Sequence, residues 1–237
     1  MDATPAKLRS DPDRLLFLGA AIIAALLMVG GFARTYYLKT AFGTPSLTAL
    51  LHVHGLVMTL WFTLLVVQVR LVANRRLDLH RRLGWIAAGL AVLLVVLGST
   101  VAISAARQGH SPGPPPLVFV MLPLSIMVIF ALFTGLAIYY RGRPDIHKRL
   151  MLLGSLNMLS PAIARIPVLH SGGPAVFIGL TVFLILGCVA VDTIRNRRLH
   201  PAFGWGAGLL ILSFPLRMFL GNTEAWQRFA AWLVEST

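Results

Sequence analysis

The chain has 237 residues, of which 57% are hydrophobic and only 12% are charged, and its mean hydropathy is +0.79. A typical soluble domain carries about 25% charged residues, so this composition excludes an ordinary soluble domain. The net charge of +13 would suggest a nucleic-acid partner in a soluble protein, but here the solvent is the bilayer. The composition therefore predicts an all-α integral membrane protein that makes several passes.

Seven apolar stretches reach the length of about 20 residues that a helix needs to cross the hydrocarbon core. They cover residues 15–32, 49–69, 83–105, 117–140, 150–168, 173–191 and 202–220. The first stretch is longer than the usual signal-peptide core of about 7–15 residues, so we expect it to be retained. The expected organisation is a tail over residues 1–14, a seven-helix transmembrane domain over residues 15–220 and an amphipathic interfacial helix over residues 221–237.

Most of the 21 Lys and Arg residues fall at one face of this predicted bundle. They cluster in the short segments 70–82, 141–149 and 195–198. The positive-inside rule then predicts a multi-pass inner-membrane protein with a cytoplasmic N-terminus and a periplasmic C-terminus. Each such charge contributes about 1 kcal/mol of attraction to anionic headgroups near the surface. Membrane lipids, and not nucleic acid, are therefore the predicted partners of the basic residues.

Two predicted helix starts at the cytoplasmic face share the pattern Asp-x-His-basic-Arg-Leu, at residues 78–83 and 145–150. Asp favours a helix start, and basic residues favour the headgroup region. Neither preference explains why a histidine recurs at the same position. We therefore take His80 and His147 as candidate ligands, with His200, at the start of the seventh stretch, as a weaker third candidate.

Two more histidines, His52 and His54, stand at the opposite end of the second stretch. Polar side chains at this depth are costly and normally line a site. Because the two are about 200° apart on a regular helix, only one of them, His54, is expected to face a ligand. His170 lies at a similar depth beyond the fifth stretch. Arg165 is placed to hold an acidic group such as a haem propionate or a lipid phosphate.

These residues fit two kinds of cofactor. His54 with His170, and His80 with His147, would serve as axial pairs for haem b, held without covalent bonds because the chain has no Cys-x-x-Cys-His. The alternative is copper, since thioether ligands favour Cu(I). The copper set consists of four outer residues: His52, His54, His170 and Met58. A third alternative is a non-catalytic structural or lipid-binding subunit of a membrane complex.

The sequence gives no support to enzymatic turnover. It has no recognisable nucleophile–base pair, no His-Glu-x-x-His zinc motif and no phosphate-binding loop. Of its eight acidic residues, only Asp192 lies close to a predicted span, where we expect it to pair with Arg195 at i+3. Gln68 and Asn157 within the spans are compatible with a quinone as partner, and a respiratory complex is another candidate partner.

The motifs resemble those of a group of bacterial multi-pass proteins known as domains of unknown function. The shared pattern is His54, then His-Arg-x-x-Gly (His80, Arg81, Gly84), then His-x-Arg-x-Met (His147, Arg149, Met151), then Arg165. The resemblance covers about residues 50–168, and related small proteins include a factor implicated in cytochrome oxidase assembly. It implies a role with haem or copper. Residues 54–58 also resemble the His-Gly-x-x-Met segment that carries a low-spin haem ligand in haem-copper oxidases.

Overall fold

A computed structural model describes residues 12–236 of the protein, except the side chains of Pro12, Asp13 and His170. Over these residues the chain is helical and has no strand. The helices are α1 (Pro12–Phe32), α2 (Ala49–Ala73), α3 (Leu77–Arg107), α4 (Pro116–Phe119), α5 (Met121–Tyr139), α6 (Pro144–Asn157), α7 (Ser160–Ile163), α8 (Pro167–His170), α9 (Gly173–Asn196), α10 (Pro201–Gly221) and α11 (Glu224–Glu235). α1 continues into a π-helical turn at Ala33–Tyr37.

Within the described part of the chain, six helical segments are long and apolar enough to cross a membrane. They are Arg14–Tyr37, Ala49–Ala73, Leu77–Arg107, Pro116–Tyr139, Gly173–Asn196 and Pro201–Gly221. Each of these six segments coincides closely with one of the predicted apolar stretches. The fifth predicted stretch has no counterpart among them. The prediction of an all-helical chain with several membrane-crossing helices is confirmed at this level.

The fifth predicted stretch, residues 150–168, is not one continuous helix. α6 ends at Asn157, and the short helices α7 and α8 follow it. The proline at position 161 explains the first break, because its ring would clash with the carbonyl four residues earlier, which is that of Asn157. Ile166 has an extended backbone because Pro167 follows it. The sequence correctly placed an apolar segment here, but two prolines divide it.

α6 lies at the centre of the bundle and α3 at its periphery. α6 packs against α1, α5, α9 and α10, and its residues 152–157 are all buried. α3 packs mainly against α2 and α5, and it exposes large apolar side chains such as Trp85, Ile86 and Val92. Large exposed apolar surfaces mark a membrane or partner interface, so the outer face of α3 is suited to lipid.

α1 approaches α7 so closely that there is no room for a side chain at Gly31. A Cβ atom there would clash with the backbone oxygen of Ala162. Small residues allow this kind of backbone approach between membrane helices. The contact packs α1 directly against α7, which is part of the divided fifth stretch.

A helix follows the last long apolar helix, as the spacing of Trp226, Phe229 and Ala230 predicts. The Thr223 side chain caps α11 by accepting a hydrogen bond from the Trp226 backbone N–H at 3.3 Å. The Trp226 indole donates to the Leu117 carbonyl at 2.8 Å, and Ala230 is fully buried. Arg228 and Glu224 form an exposed ion pair at 2.8 Å on the opposite side of the helix, so α11 is amphipathic.

Candidate functional site

A cavity of about 750 Å³ opens among α1, α2, α3, α5 and α6. It lies where α2 and α5 end and where α1, α3 and α6 begin, and we call this end of the bundle the basic end. Its walls are mostly apolar and include Trp61, Leu65, Ile138 and Leu152. Ligand sites in proteins commonly have volumes of about 300–1,000 Å³ with a few polar groups in an apolar wall, so the cavity has the size and character of a ligand site.

The two repeated histidines meet on the wall of this cavity. The His80 and His147 ring centroids are 6.3 Å apart, and the ring planes are nearly perpendicular, at 85°. His147 Nδ1 lies 2.8 Å from the Ala137 carbonyl oxygen. Because a carbonyl can only accept, Nδ1 carries the proton, which leaves the Nε2 lone pair available to a ligand. Metal-binding histidines are commonly oriented in this way.

Three buried polar atoms on the cavity wall have no hydrogen-bond partner in the described part of the chain: His80 Nδ1, Gln68 Oε1 and Thr134 Oγ1. The Thr134 side chain is only 4% exposed. Leaving a buried polar group unpaired costs about 1–3 kcal/mol, and such groups are rare in folded proteins. Their concentration in one cavity is a second indication that the cavity binds something.

Positive charge surrounds the cavity. Its lining includes four basic side chains, those of Arg14, Arg81, Arg141 and Lys148, and no acidic one among the residues described. Arg14 also donates to the Ala73 carbonyl at 2.7 Å, and the Lys148 ammonium lies 5.1 Å from the centre of the Phe17 ring. A concave site lined by one sign of charge attracts ligands of the other sign, so the expected ligand is apolar with an anionic end.

A buried ion pair joins α6 to α9 beside the cavity. Arg149 Nε donates to Asp192 Oδ2 at 3.0 Å, and Arg149 Nη2 donates to Asp192 Oδ1 at 2.7 Å. The two side chains are 4% and 0% exposed. Both carboxylate oxygens of Asp192 thus accept hydrogen bonds from an arginine far more distant in the chain than Arg195, the neighbour expected from the sequence. The pair is bidentate, the geometry that favours arginine over lysine.

The third candidate histidine of this end, His200, has a structural role. Its Nδ1 accepts from the Ala202 backbone N–H at 3.2 Å and caps α10. Nε2 therefore carries the proton and donates to Asp145 Oδ2 at 3.1 Å. This hydrogen bond lowers the pKa of Asp145. Both nitrogens of His200 are thus engaged, whereas His80 and His147 each face the cavity.

The histidines at the opposite end are less closely associated. His52 is exposed and lies beside Tyr36, with 5.9 Å between ring centroids. His54 is partly buried, its Nδ1 has no partner among the residues described, and Arg165 is near enough to act on it electrostatically. Arg165 donates to the Pro161 carbonyl at 2.8 Å and lies 4.7 Å from the Phe32 ring centre.

The proposed outer ligand sets stay predictions. The side chain of His170, which both sets need, lies outside the described residues. Met58 is partly buried against the apolar core. Over the residues described, no cluster of three or more His, Cys, Asp or Glu side chains could hold a metal ion. The inner pair, His80 and His147, is therefore the pair of predicted ligands that the structure brings together.

Sequence reasoning missed a second polar group in the core. Arg217 Nη2 donates to Asn157 Oδ1 at 3.1 Å, and Asn157 Nδ2 donates to the Ile126 carbonyl at 2.8 Å. Arg217 is 4% exposed and Asn157 1% exposed. Arg217 lies four residues before the end of α10. Its side chain extends toward the start of its helix, the direction in which helical side chains tilt.

The fold and the cavity define a class: a multi-pass helical membrane protein with a basic, partly polar cavity at one end of the bundle. The chain matches no family model, and no curated protein or solved structure is significantly similar to it. The function must therefore be argued from the cavity itself.

Proposed function

We propose that the protein binds haem b in the cavity at the basic end and takes part in electron transfer or in the assembly of a respiratory complex. The observation that carries this proposal is the pair formed by His80 and His147. The two imidazoles come from different helices and meet on the wall of a cavity of about 750 Å³. Haem supplies one-electron chemistry, and the protein contributes its binding, orientation and electrostatics.

The distance between the rings suits a metal ion between them. A bond from an imidazole nitrogen to a metal is about 2 Å long. Adding the distance from nitrogen to ring centre on both sides gives a centroid separation of about 6 Å, and the observed separation is 6.3 Å. His147 already has the tautomer that such a bond needs, because its Nδ1 proton is donated to the Ala137 carbonyl.

The rest of the cavity fits the two chemical halves of haem. Its apolar walls suit the macrocycle, and the rim formed by Arg14, Arg81, Arg141 and Lys148 suits the propionates, as Arg and Lys are effective carboxylate partners. The sequence prediction gave the propionate role to Arg165 at the opposite end. In the inner cavity, Arg81 and Arg141 are the candidates for that role.

We also propose that the broken segment α6–α8 is a seventh crossing. It runs through the centre of the bundle, where α1, α5, α9 and α10 cover α6. Non-helical backbone at membrane depth is tolerated when it is buried in protein. With seven crossings in the inner membrane, the positive-inside rule puts the N-terminus and the basic end in the cytoplasm and the C-terminus in the periplasm.

The first experiment is an absorption spectrum of the detergent-purified protein from haem-replete cells, air-oxidised and then reduced with dithionite. We expect a Soret band, sharp reduced bands and about one haem per chain by pyridine haemochrome analysis. His80→Ala and His147→Ala should each remove most of the pigment. His110→Ala is the matched control, because His110 is exposed and does not line the cavity.

Other outcomes would redirect the proposal. A Soret band that survives both inner variants but is lost in His54→Ala would move the haem to the opposite end, where His54 and His170 were predicted. A featureless spectrum together with bound copper by elemental analysis would favour the copper alternative. A protein that contains neither haem nor copper would leave the third alternative, a structural or lipid-binding subunit.

A further inference from the structure

We infer that Gln68 is a positioning residue for the proposed haem site. Its side-chain oxygen would accept a hydrogen bond from the Nδ1–H of His80 when haem is bound. The inference rests on the proposed function. Its starting point is that His80 Nδ1 and Gln68 Oε1 are both buried and both without a partner among the residues described. One atom can donate and the other can only accept.

The two side chains are close to each other. The Gln68 backbone is near enough to the His80 ring to act as a hydrogen-bond partner, and α2 and α3 are packed side by side. On α3, Gly84 follows His80 by one turn, so the two positions share a face. The Gln68 amide nitrogen lies 4.0 Å from where a Cβ of Gly84 would be. The Gln68 amide group therefore lies over Gly84, next to the His80 ring.

This arrangement gives a physical reason for the His-Arg-x-x-Gly pattern. A large side chain at position 84 would occupy the space that the Gln68 amide needs. Alanine would bring its Cβ only into ordinary contact. The pattern therefore combines the candidate ligand His80 with Gly84, which has no side chain and lies one turn further along. The Gln68 side chain of the preceding helix extends into the space beside Gly84.

The partner histidine shows what the His80 hydrogen bond would accomplish. His147 donates its Nδ1 proton to the Ala137 carbonyl, which fixes the ring and leaves Nε2 for a ligand. His80 Nδ1 has no such partner among the residues described, but a rotation of its ring or of the Gln68 amide would pair the two unsatisfied atoms. Both histidines would then have the same tautomer. Such outer partners orient a ligating histidine and raise its basicity.

Raised basicity at one of the histidines that would hold the haem predicts a measurable effect on its reduction potential. A more electron-rich imidazole stabilises the ferric state, so Gln68 should hold the midpoint potential of the bound haem down. In Gln68→Leu the acceptor is gone and the potential should rise. In Gln68→Glu the acceptor is a stronger one and the potential should fall. A shift that changes the equilibrium ratio of reduced to oxidised haem tenfold is 59 mV for one electron.

The test is a redox titration of the wild type and three variants, followed by the Soret and reduced bands, with haem content measured in each. Gln108→Leu is the matched control, because it makes the same exchange at an exposed position that does not line the cavity. We expect Gln68→Leu and Gln68→Glu to shift the potential in opposite directions at unchanged haem content, with Gln108→Leu close to the wild type.

The possible failures are distinguishable. If the wild type shows no Soret band, the proposed function fails and this inference fails with it. If haem is bound but Gln68→Leu has the wild-type potential, this inference alone is overturned. If Gln68→Leu and Gln68→Glu shift the potential equally in the same direction, the effect is a general change in the cavity, and the specific role of Gln68 is overturned.

Discussion

The Asp-x-His-basic-Arg-Leu pattern occurs twice, at the start of α3 and at the start of α6, and the two copies have different environments. The histidines of the two copies meet, at 6.3 Å between His80 and His147. The arginines separate: Arg82 is exposed, whereas Arg149 is 3% exposed and bound to Asp192. The aspartates differ too, since Asp145 accepts a hydrogen bond from His200.

The difference follows from where each helix lies. α3 is peripheral, so the last basic residue of its copy faces outward. α6 is central, so the corresponding residue faces other helices, where an unpaired charge would be costly. The same six-residue pattern therefore contributes one shared contact, between the two histidines, and two different structural roles. Variants made at equivalent positions of the two copies test this distinction.

The largest difference is expected at the arginines. Arg149→Met should lower the free energy of unfolding by about 3–5 kcal/mol, because it leaves the Asp192 carboxylate buried without its partner. Arg82→Met should change it by no more than about 0.5 kcal/mol, as an exposed substitution. Denaturant unfolding in detergent micelles measures both values.

A double variant separates lost pairing from lost packing. Arg149→Met/Asp192→Leu should recover most of the stability, because replacing a buried pair with apolar side chains is often close to neutral. If the double variant is as unstable as Arg149→Met, the arginine contributes mainly by packing. The two copies would then differ in how their arginine side chains pack, and not in how their charges are paired.

A smaller difference is expected at the contacts that hold the second copy to α10. His200→Ala should cost about 1 kcal/mol, since it removes the side-chain cap of α10 together with the Asp145 hydrogen bond. α3 begins after Arg76, which makes no side-chain cap, so Arg76→Ala is the comparison and should have little effect. Equal losses in the two variants, measured by the same unfolding assay, would argue against a capping role for His200.

The basic residues that directly follow the two histidines should behave alike. Arg81 and Lys148 both line the cavity, and an exposed charge interaction of about 0.2–1 kcal/mol corresponds to a loss of affinity of up to about fivefold. We expect Arg81→Ala and Lys148→Ala to weaken haem binding to a similar extent, and less so at high salt. Haem titration of the purified apoprotein tests this, and an effect confined to one variant would contradict it.

The smallest effect concerns acid pH. The hydrogen bond from His200 lowers the pKa of Asp145, so in the folded protein this carboxyl has a lower pKa than the unfolded value of about 3.9. Its stabilisation is therefore complete above about pH 4 and is lost as the pH falls through the folded-state pKa. In His200→Ala, unfolding followed from pH 5 to pH 2 should depend less steeply on pH in this window; an unchanged slope would contradict the assignment.

The long apolar helices could be predicted from the sequence because length and hydropathy alone determine them. The histidine pair could also be predicted, because both residues follow a helix start by the same number of positions and so lie at one depth. The pairing of Asp192 with Arg149 could not be predicted. Local spacing favours Arg195 as the partner, whereas Arg149 is 43 residues away. Gln68 stood out only as an isolated amide, since the sequence does not show that α3 leaves a gap beside it at Gly84.

The buried ion pair also has a consequence in time. Arg149 leaves the ribosome 43 residues before Asp192 does, which at about 5–20 residues per second is a delay of roughly 2 to 9 seconds. During that interval Arg149 cannot yet pair with Asp192. Synthesis of α9 ends that delay, so the burial of Arg149 as an ion pair can be completed only after a helix that follows α6 in the chain has been made.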